Sequence, residues 1–352
     1  MSTARKFRTG VAASAAMMLV AGLATTTSHA TTVSGQGIAP QTATTPRLKL
    51  LWHEEYNGSK GIPSTVQTSL RNPRKSYVWT TFVTGSPDNK ERQYYTDGVV
   101  QYNDNGTVAH HAIELDGAGH LAVNAVRPQA KTAKHPATSP ADFCVYGRCE
   151  YVSGRMDTSG KLGFKYGQIE ANIKLPSGEG TWPAFWMLGA SLNTGLSWPN
   201  CGEIDIMEAS ASNRPDSIFG SLHSYPDDGF GVTASAYPDN FYTKFHRYGI
   251  RWSKDKIDFM VDGAVYNSVT KTDVTSEKIP LSDGSGNYAR RQYPFNNEFF
   301  LVLNLAMGGT LGGDQDGQVT RDANGKLPAG GTMLVDYIRY YSVNGQGTLI
   351  RH

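Results

Sequence analysis

Three carboxylic acids within six residues are the part of this sequence with the clearest chemical meaning. They are Glu203, Asp205 and Glu208. Side chains alternate between the two faces of a β-strand, so Glu203 and Asp205 share a face, whereas Glu208 has the wrong parity. A β-bulge at Ile206-Met207 would add one residue and return Glu208 to the acidic face. We therefore predict a row of three carboxyl groups on one wall of a sheet.

A row of this kind could cleave a glycosidic bond. Retaining glycosidases place two carboxyl groups about 5–5.5 Å apart, and residues of a bulged strand can approach that spacing. One carboxylate would attack the anomeric carbon, while a second, still protonated, would donate to the leaving oxygen. Asp205 would push their pKa values apart, because close carboxylates cannot all ionise. The alternative is a solvated outer face of an edge strand, where alternating acids are common.

The segments around the acids resemble glycoside hydrolase family sixteen, in its bulged form, which is typical of laminarinases. The similar segments follow the family's order and are residues 151–155, 166–170, 175–188, 202–208, 245–252, 300–309 and 335–341. The resemblance implies an all-β fold, a β-jelly-roll sandwich of two antiparallel sheets with a concave substrate cleft. It also implies an endo-acting, retaining hydrolase of β-1,3-linked polysaccharide, with β-1,3-glucan as the expected substrate. In such an enzyme Glu203 would be the nucleophile, Glu208 the general acid and then the base, and Asp205 the supporting carboxylate.

The same resemblance implies which residues contact the sugar chain. Indole rings pack against the apolar faces of pyranose rings, and polar side chains bind the hydroxyls. The expected substrate-binding residues are Trp182, Trp186, Arg155, His223, Asn304, Asn89 and Glu91. Trp198 stays open between the cleft and the core, and the tryptophans expected to serve only packing are Trp52, Trp79 and Trp252.

Two segments depart from the family pattern, and both belong to regions that select the sugar. Residues 84–88 replace a tryptophan and glycines, and residues 224–228 replace a glycine-rich loop. An endo-β-1,3-galactanase on the same fold is therefore an open alternative. A transglycosylase and a non-catalytic carbohydrate-binding protein are two further alternatives.

Composition and charge indicate an exported protein. Arg5, Lys6 and Arg8 precede an apolar run at residues 11–24, and Ser28-His29-Ala30 supplies a cleavage site, which together indicate a signal peptide over residues 1–30. The run is shorter than the ~20 residues that span a bilayer. Loss of the three basic residues takes the formal net charge from +2 to −1. This balance gives no basic field for nucleic acid or anionic membrane, and it is compatible with a neutral polysaccharide as the partner. We expect a secreted, extracellular protein that is a monomer.

The rest of the chain has the pattern of one large β domain. Residues 31–46 form a Thr/Ala/Gly/Pro-rich leader, residues 47–343 a catalytic domain and residues 344–352 a C-terminal tail. Many short apolar or alternating runs lie between turn signals, and Asp262-Gly263 indicates a hairpin. No stretch predicts an amphipathic helix of three turns.

Cysteines and hard oxygen ligands support only limited predictions. Cys144 and Cys149 could close a short loop and leave Cys201 unpaired, although pairing of Cys149 with Cys201 is the alternative. The three cysteines make a poor zinc site. Hydrolysis requires no cofactor, since water and two carboxyls complete it. The resemblance also implies a possible structural Ca²⁺, for which Glu55 and Asp336 offer oxygen ligands.

Overall fold

The computed structural model describes residues 45–68, 77–84, 89–129, 149–226, 232–281 and 285–352. The predicted signal peptide and most of the predicted leader lie outside these residues. Short β-strands dominate the described part of the chain. In order they are β1 (Leu48–Glu55), β2 (Val66–Gln67), β3 (Trp79–Thr81), β4 (Gln93–Tyr95), β5 (Val99–Tyr102), β6 (Val108–His111), β7 (Ile113–Leu115), β8 (Leu121–Val126), β9 (Tyr151–Ser153), β10 (Arg155–Asp157), β11 (Leu162–Lys165), β12 (Gly167–Lys174), β13 (Thr181–Gly189), β14 (Glu203–Ser210), β15 (Arg214–His223), β16 (Val232–Ala236), β17 (His246–Trp252), β18 (Lys256–Val261), β19 (Ala264–Thr270), β20 (Lys278–Pro280), β21 (Tyr288–Arg290), β22 (Phe299–Met307), β23 (Gly330–Val343) and β24 (Thr348–Arg351).

Helices in the described residues are short. They are a 3₁₀ helix at Ala190–Thr194, α1 at Lys271–Ser276 and α2 at Gly309–Gly312. Helix α1 begins with a capping box, in which Thr270 accepts from the Asp273 amide and the Asp273 carboxylate accepts from the Thr270 amide. None of these helices is long and apolar enough to cross a membrane.

Two ten-stranded sheets account for most of the strands. We call one the site sheet, with the order β16-β15-β14-β13-β22-β10-β3-β2, with β11 beside β22 and β24 beside β11. The second sheet has the order β19-β18-β17-β12-β23-β8-β9-β4, with β1 on β23 and β7 on β8. Pairing is antiparallel except between β2 and β3 and between β4 and β9. The predicted all-β jelly-roll sandwich of two sheets is therefore confirmed.

One large core fills the space between the sheets. The site sheet contributes buried side chains such as Phe185, Ile204 and Leu303, and the second sheet contributes Ile169 and Ile250 among others. Alternate residues of β14 and β22 face this core, which leaves the intervening residues on the opposite face of the site sheet. The sandwich therefore provides a rigid support for the acids of β14. The three tryptophans expected to serve packing, Trp52, Trp79 and Trp252, are all buried in the core.

Local signals located the longer strands well. The Asp262-Gly263 hairpin joins β18 to β19, and both residues have the positive φ angles, 52° and 85°, that such a tight turn requires. Residues 344–352, expected as a C-terminal tail, contain a strand that joins the site sheet. Residues Thr348–Arg351 form β24 and pair with β11, because the partner strand supplies backbone hydrogen bonds that the terminal sequence alone does not reveal.

Candidate active site

A β-bulge in β14 brings the three acids to one face, as the sequence predicted. Trp186 of β13 lies opposite Asp205, and the next residue back, Phe185, lies opposite Met207. The register with β15 shifts between Asp205 and Glu208 as well. Ile206 is therefore the extra residue, and both Ile206 and Met207 pack into the core. Asp205 and Glu208 consequently project from the same face of the site sheet.

Gly202 allows the chain to enter β14 at this position. Its φ angle is +84°, a left-handed conformation that favours glycine, and a Cβ atom there would lie 2.6 Å from Cγ of Pro294. Any larger residue would displace Pro294 or the start of the strand. The glycine therefore fixes where Glu203 emerges.

Register places Glu208 at one end of a row that crosses four strands. Glu208 lies opposite Ala184, Ala184 opposite Asn304, and Asn304 opposite Arg155. Neighbouring strands lie about 4.8 Å apart, so the row extends roughly 14 Å across the sheet. The small side chain of Ala184 leaves space beside the acids. The predicted site residues Glu208, Asn304 and Arg155 thus share one face.

Glu208 is buried and holds its proton. Trp182 Nε1 donates a hydrogen bond of 2.8 Å to Glu208 Oε1, and only 9% of the residue is exposed. Burial, followed by the charge of Asp205, raises the pKa of Glu208 to about 8, although the Trp182 hydrogen bond opposes the rise. A carboxyl that stays protonated near neutral pH can act as a general acid.

Glu203 is more accessible than Glu208 and is oriented by an indole. Trp198 Nε1 donates to Glu203 Oε2 over 3.1 Å, and Oε1 lies 4.0 Å from His223 Nε2. The structure therefore places Trp198, which sequence left open, beside the acids. Its position directly before the acidic segment was the available signal, but that signal could not distinguish cleft from core.

Asp205 is almost completely buried beside His223. His223 Nε2 lies 3.1 Å from Asp205 Oδ2, at ion-pair distance, and Asp205 is 3% exposed. Strand β15 positions this histidine, because His223 lies opposite Glu203 in the register. His223 therefore contacts the acidic row, and its expected contact with substrate stays a prediction.

A buried hydrogen-bond network holds Asn304 and Trp186. Trp186 Nε1 donates to Asn304 Oδ1 over 2.7 Å, and Asn304 Nδ2 donates to the Tyr95 hydroxyl over 3.0 Å. The Tyr95 hydroxyl in turn donates to Glu91 Oε2 over 3.1 Å. Burial raises the pKa of Tyr95 well above its usual value, so its hydroxyl stays protonated as a donor. Tyr95 is a positioning residue that sequence reasoning missed, because its link to Asn304 spans distant segments.

Glu91 is a buried member of this hydrogen-bond network and has little surface exposed toward a substrate subsite. Its carboxylate is buried and also accepts a hydrogen bond from Gln93 Nε2, while Gln93 Oε1 accepts from the Met307 amide. Direct contact of Glu91 with substrate stays a prediction. Asn89 lies at a sharp turn with a φ angle of +61°, and its carbonyl accepts from the Thr310 amide over 2.9 Å. This bond ties the turn to the loop after β22.

Arg155 lies between two aromatic rings at the far end of the row. Its Cζ atom is 4.6 Å from the centre of the Phe82 ring and 5.0 Å from that of Trp186. Cation–π contacts of this kind hold a guanidinium in place without using all its hydrogen-bond donors. Part of Arg155 is therefore available for sugar hydroxyls. Of the two departures from the family pattern, residues 85–88 of the first and residues 227–228 of the second lie outside the described residues.

The predicted calcium ligands Glu55 and Asp336 do not fit a cation site. Arg339 donates to both oxygens of Glu55, from Nε over 2.8 Å and from Nη2 over 3.2 Å. Asp336 Oδ2 accepts from Asn172 Nδ2 over 2.9 Å. Calcium needs six to eight oxygen ligands, and a guanidinium on one carboxylate opposes it with positive charge. Calcium binding stays a prediction, without support for this pair.

Cysteine pairing is decided in part. Cys201 is a buried free cysteine, so the alternative bridge between Cys149 and Cys201 is excluded. The predicted partner Cys144 lies outside the described residues. Burial raises the pKa of the Cys201 thiol to about 11, which keeps it protonated and unreactive next to the active-site strand.

The geometry above defines a glycosidase of the paired-carboxylate type on a β-sandwich. Residues 92–285 match the model of "Glycosyl hydrolases family 16". The chain is 33% identical to the β-glucanase of Rhodothermus marinus over 301 residues. This alignment covers 84% of this chain and 86% of that protein. This chain belongs to glycosyl hydrolase family 16.

Other relatives and solved structures agree with this membership. Identity is 30% over 304 residues with glucan endo-1,3-β-glucosidase A1 of Niallia circulans, although this chain spans only 38% of that protein's length. The structure of the endo-β-1,3-glucanase from Pyrococcus furiosus is similar with a TM-score of 0.59 and 32% identity, covering 84% of this chain and 95% of that one. The laminarinase from Rhodothermus marinus gives the same TM-score at 30% identity, covering 85% and 98%.

Proposed function

We propose that this protein is a secreted, endo-acting, retaining glycoside hydrolase that cleaves β-1,3-glucan. The observation that carries the proposal is the bulge in β14, which places Glu203, Asp205 and Glu208 on one face with Glu208 protonated. A strand that carries one carboxyl with a raised pKa beside a second, more exposed carboxyl can supply the acid and the nucleophile that a retaining mechanism uses.

The proposed reaction has two steps. In the first, the Glu203 carboxylate attacks the anomeric carbon while Glu208 gives its proton to the departing glycosidic oxygen. In the second, Glu208, now a carboxylate, takes a proton from water, and that water displaces Glu203 from the sugar. Asp205 keeps the proton affinity of Glu208 high at the start of the cycle, because its negative charge disfavours a second charge nearby. No cofactor is required for these steps.

Several names among the relatives support β-1,3-glucan as the substrate. The proteins from Niallia circulans and Pyrococcus furiosus are named as endo-1,3-β-glucan hydrolases, and the similarity to both covers 84% of this chain. Trp182 and Trp186 flank Ala184 on the site face. Trp186 is partly exposed and can offer indole surface to a sugar chain, whereas Trp182 is only 7% exposed and donates its N–H to Glu208. We propose that the row from Glu208 to Arg155 is the floor of its binding cleft.

A galactan is the second candidate substrate. A keratan-sulfate endo-1,4-β-galactosidase of Sphingobacterium multivorum is 26% identical over 86% of this chain. The departures at residues 84–88 and 224–228 belong to the sugar-selecting regions. Recognition of the C4 hydroxyl distinguishes galactose from glucose, so these segments bear directly on the choice.

Two other functions, carbohydrate binding without catalysis and transglycosylation, differ from hydrolysis in the groups or acceptor that they use. A β-1,3-glucan-binding protein of Penaeus monodon is 33% identical over 204 residues, but the three acids of a hydrolytic site are all present here. A transglycosylase would pass the sugar from Glu203 to a second sugar instead of water. We propose hydrolysis as the main outcome, by a monomer exported through its signal peptide.

Product analysis tests the assignment. The full chain is incubated separately with laminarin, mixed-linkage glucan, β-1,3-galactan and agarose, with and without an added acceptor sugar, and the oligosaccharides are profiled. The proposal expects a ladder of short products from laminarin and no lengthened products with acceptor. Glu203→Gln serves as the control for contaminating activity. Cleavage of β-1,3-galactan but not of laminarin would contradict the glucanase proposal and identify the protein as a galactanase.

A further inference from the structure

Three donor atoms from the acidic row and from β15 surround one small space. His223 Nε2 lies 3.1 Å from Asp205 Oδ2 and 4.0 Å from Glu203 Oε1, and all three ligand atoms lie within 4.8 Å of one another. In a tetrahedral site with metal–ligand bonds of 2.0–2.2 Å, neighbouring ligand atoms are roughly 3.3–3.5 Å apart. The distance from His223 to Asp205 is already close to this spacing, the distance from His223 to Glu203 would have to shorten by about 0.6 Å, and the distance between the two carboxylates by at most about 1.5 Å.

The Asp205 Oδ2 atom is buried without a well-aligned hydrogen-bond donor in the part of the chain that the structure describes. Asp205 Oδ2 is inaccessible to solvent and, among the described residues, accepts no aligned hydrogen bond, although His223 Nε2 is close to it. When Nε2 carries its lone pair, both atoms are acceptors aimed at the same space, which is unfavourable unless a positive centre lies between them. A buried carboxylate oxygen without a donor costs free energy that a cation would recover.

The remaining contacts orient the donors toward this space. Trp198 Nε1 holds Glu203 Oε2, which turns Oε1 toward His223. His223 is fixed on β15 opposite Glu203, and only 9% of it is exposed. Hydrogen bonds to a ligand's second atom fix its direction in established metal sites, and the Trp198 bond has that arrangement here.

We propose that Glu203, Asp205 and His223 form a binding site for a divalent transition-metal ion of the Zn²⁺ class, and that the bound ion inhibits the enzyme reversibly. One imidazole nitrogen and two carboxylate oxygens suit Zn²⁺ with one open position. Ca²⁺ and Mg²⁺ prefer oxygen ligands in larger number, so neither should compete. The metal binding stands on this geometry alone, whereas the inhibition rests on the proposed function, because the ion would cover the nucleophilic oxygen of Glu203.

Direct binding, without substrate, tests the site. Isothermal titration of the full chain with Zn²⁺, and visible absorption on addition of Co²⁺, should show one ion per chain and a low-symmetry Co²⁺ spectrum. His223→Ala and Asp205→Asn should each weaken Zn²⁺ binding at least about tenfold, because changing a residue that only supports a ligand already costs 10–100-fold. Thermal melts establish that each variant is folded.

His120→Gln is the matched control. His120 Nδ1 lies 2.7 Å from Asp116 Oδ2, so the substitution removes a histidine–carboxylate pair that, within the described ranges of the chain, has no third metal-binding side chain beside it. Zn²⁺ affinity should be unchanged in this variant. No binding to the wild-type chain, or equal binding to the folded His223→Ala variant, would overturn the proposal. Because the titration contains no glucan, its failure would leave the proposed hydrolase standing, and loss of the hydrolase assignment would leave the binding result intact.

Discussion

Trp198 and Trp182 each donate an indole N–H to a different acid of the site. Trp198 binds Glu203 over 3.1 Å, and Trp182 binds Glu208 over 2.8 Å. The donors are chemically the same, so they cannot by themselves give the acids different roles. Burial and the nearby Asp205 charge raise the pKa of Glu208 despite its indole. The division of labour between acid and nucleophile therefore depends on desolvation more than on hydrogen bonding.

The nucleophile can be removed without changing its shape. Glu203→Gln should abolish turnover on laminarin, a loss on the order of several kcal/mol of transition-state stabilisation, because covalent catalysis is no longer available. Polysaccharide binding should persist, since the indole surfaces and Asn304 are untouched. Turnover assays and affinity electrophoresis in laminarin gels measure the two properties. Near-normal turnover would contradict the proposed role of Glu203.

Product stereochemistry reports the spacing of the acids. Carboxyls on one bulged strand leave no room for a water between acid and sugar, so the first product should keep the β configuration. Proton NMR during the first minutes of hydrolysis distinguishes the anomers before they equilibrate. Initial release of the α-anomer would show that a different pair of groups catalyses the reaction.

Removal of the middle charge should move one limb of the pH profile. Asp205 raises the pKa of Glu208, so Asp205→Asn should lower that apparent pKa and shift the basic limb of kcat/KM to lower pH. Turnover should fall less than in Glu203→Gln, because both primary groups survive. The limb belongs to a coupled set of acids. An unchanged profile and rate would mean that Asp205 does not influence Glu208.

Replacement of Trp182 and of Trp198 by phenylalanine should change different kinetic properties. Trp182→Phe removes a hydrogen bond that lowers the pKa of Glu208, so the basic limb should move to higher pH, opposite to Asp205→Asn. Trp198→Phe should lower kcat about ten- to hundredfold, since hydrogen bonds to charged groups contribute ~1.5–3 kcal/mol. It should leave the basic limb in place. Identical pH profiles for the two variants would contradict the separate contacts.

The protonated Glu208 should make stability depend on pH. The unfolded carboxyl has a pKa of 4.5, whereas the folded one has a pKa of about 8, so the native state binds more protons between these values. This group's contribution to the free energy of unfolding therefore falls as pH rises through that window. Glu208→Gln removes the effect, and its Tm relative to wild type should increase by a few degrees from pH 5 to pH 8. Parallel Tm curves would argue against a buried, protonated Glu208.

Strand parity and turn chemistry were readable from the sequence because both are local. The alternation of Glu203 and Asp205, and the mismatch of Glu208, required a bulge before any partner strand was known. The Asp262-Gly263 turn was equally local, since its backbone conformation is set by those two residues. Motif order added the sandwich and the chemistry of the site.

Contacts between distant segments were decided only by the folded structure. The pairing of β24 with β11, the link from Glu91 through Tyr95 to Asn304, and the approach of His223 to Asp205 each join residues whose own sequences are compatible with other partners. The salt bridge from Arg339 to Glu55, which makes that carboxylate unsuitable for calcium, has the same origin.

The protonation of Glu208 also depends partly on the local sequence and partly on the tertiary structure. The spacing of the acids predicts that their pKa values differ but not which acid keeps the proton, and the sequence indicated Glu208 only through the family resemblance. The larger cause is burial, and burial depends on the sheet and loops that surround the side chain. The residue types and their order therefore determined the chemistry that is possible, whereas desolvation by the tertiary fold decided which carboxyl is the acid.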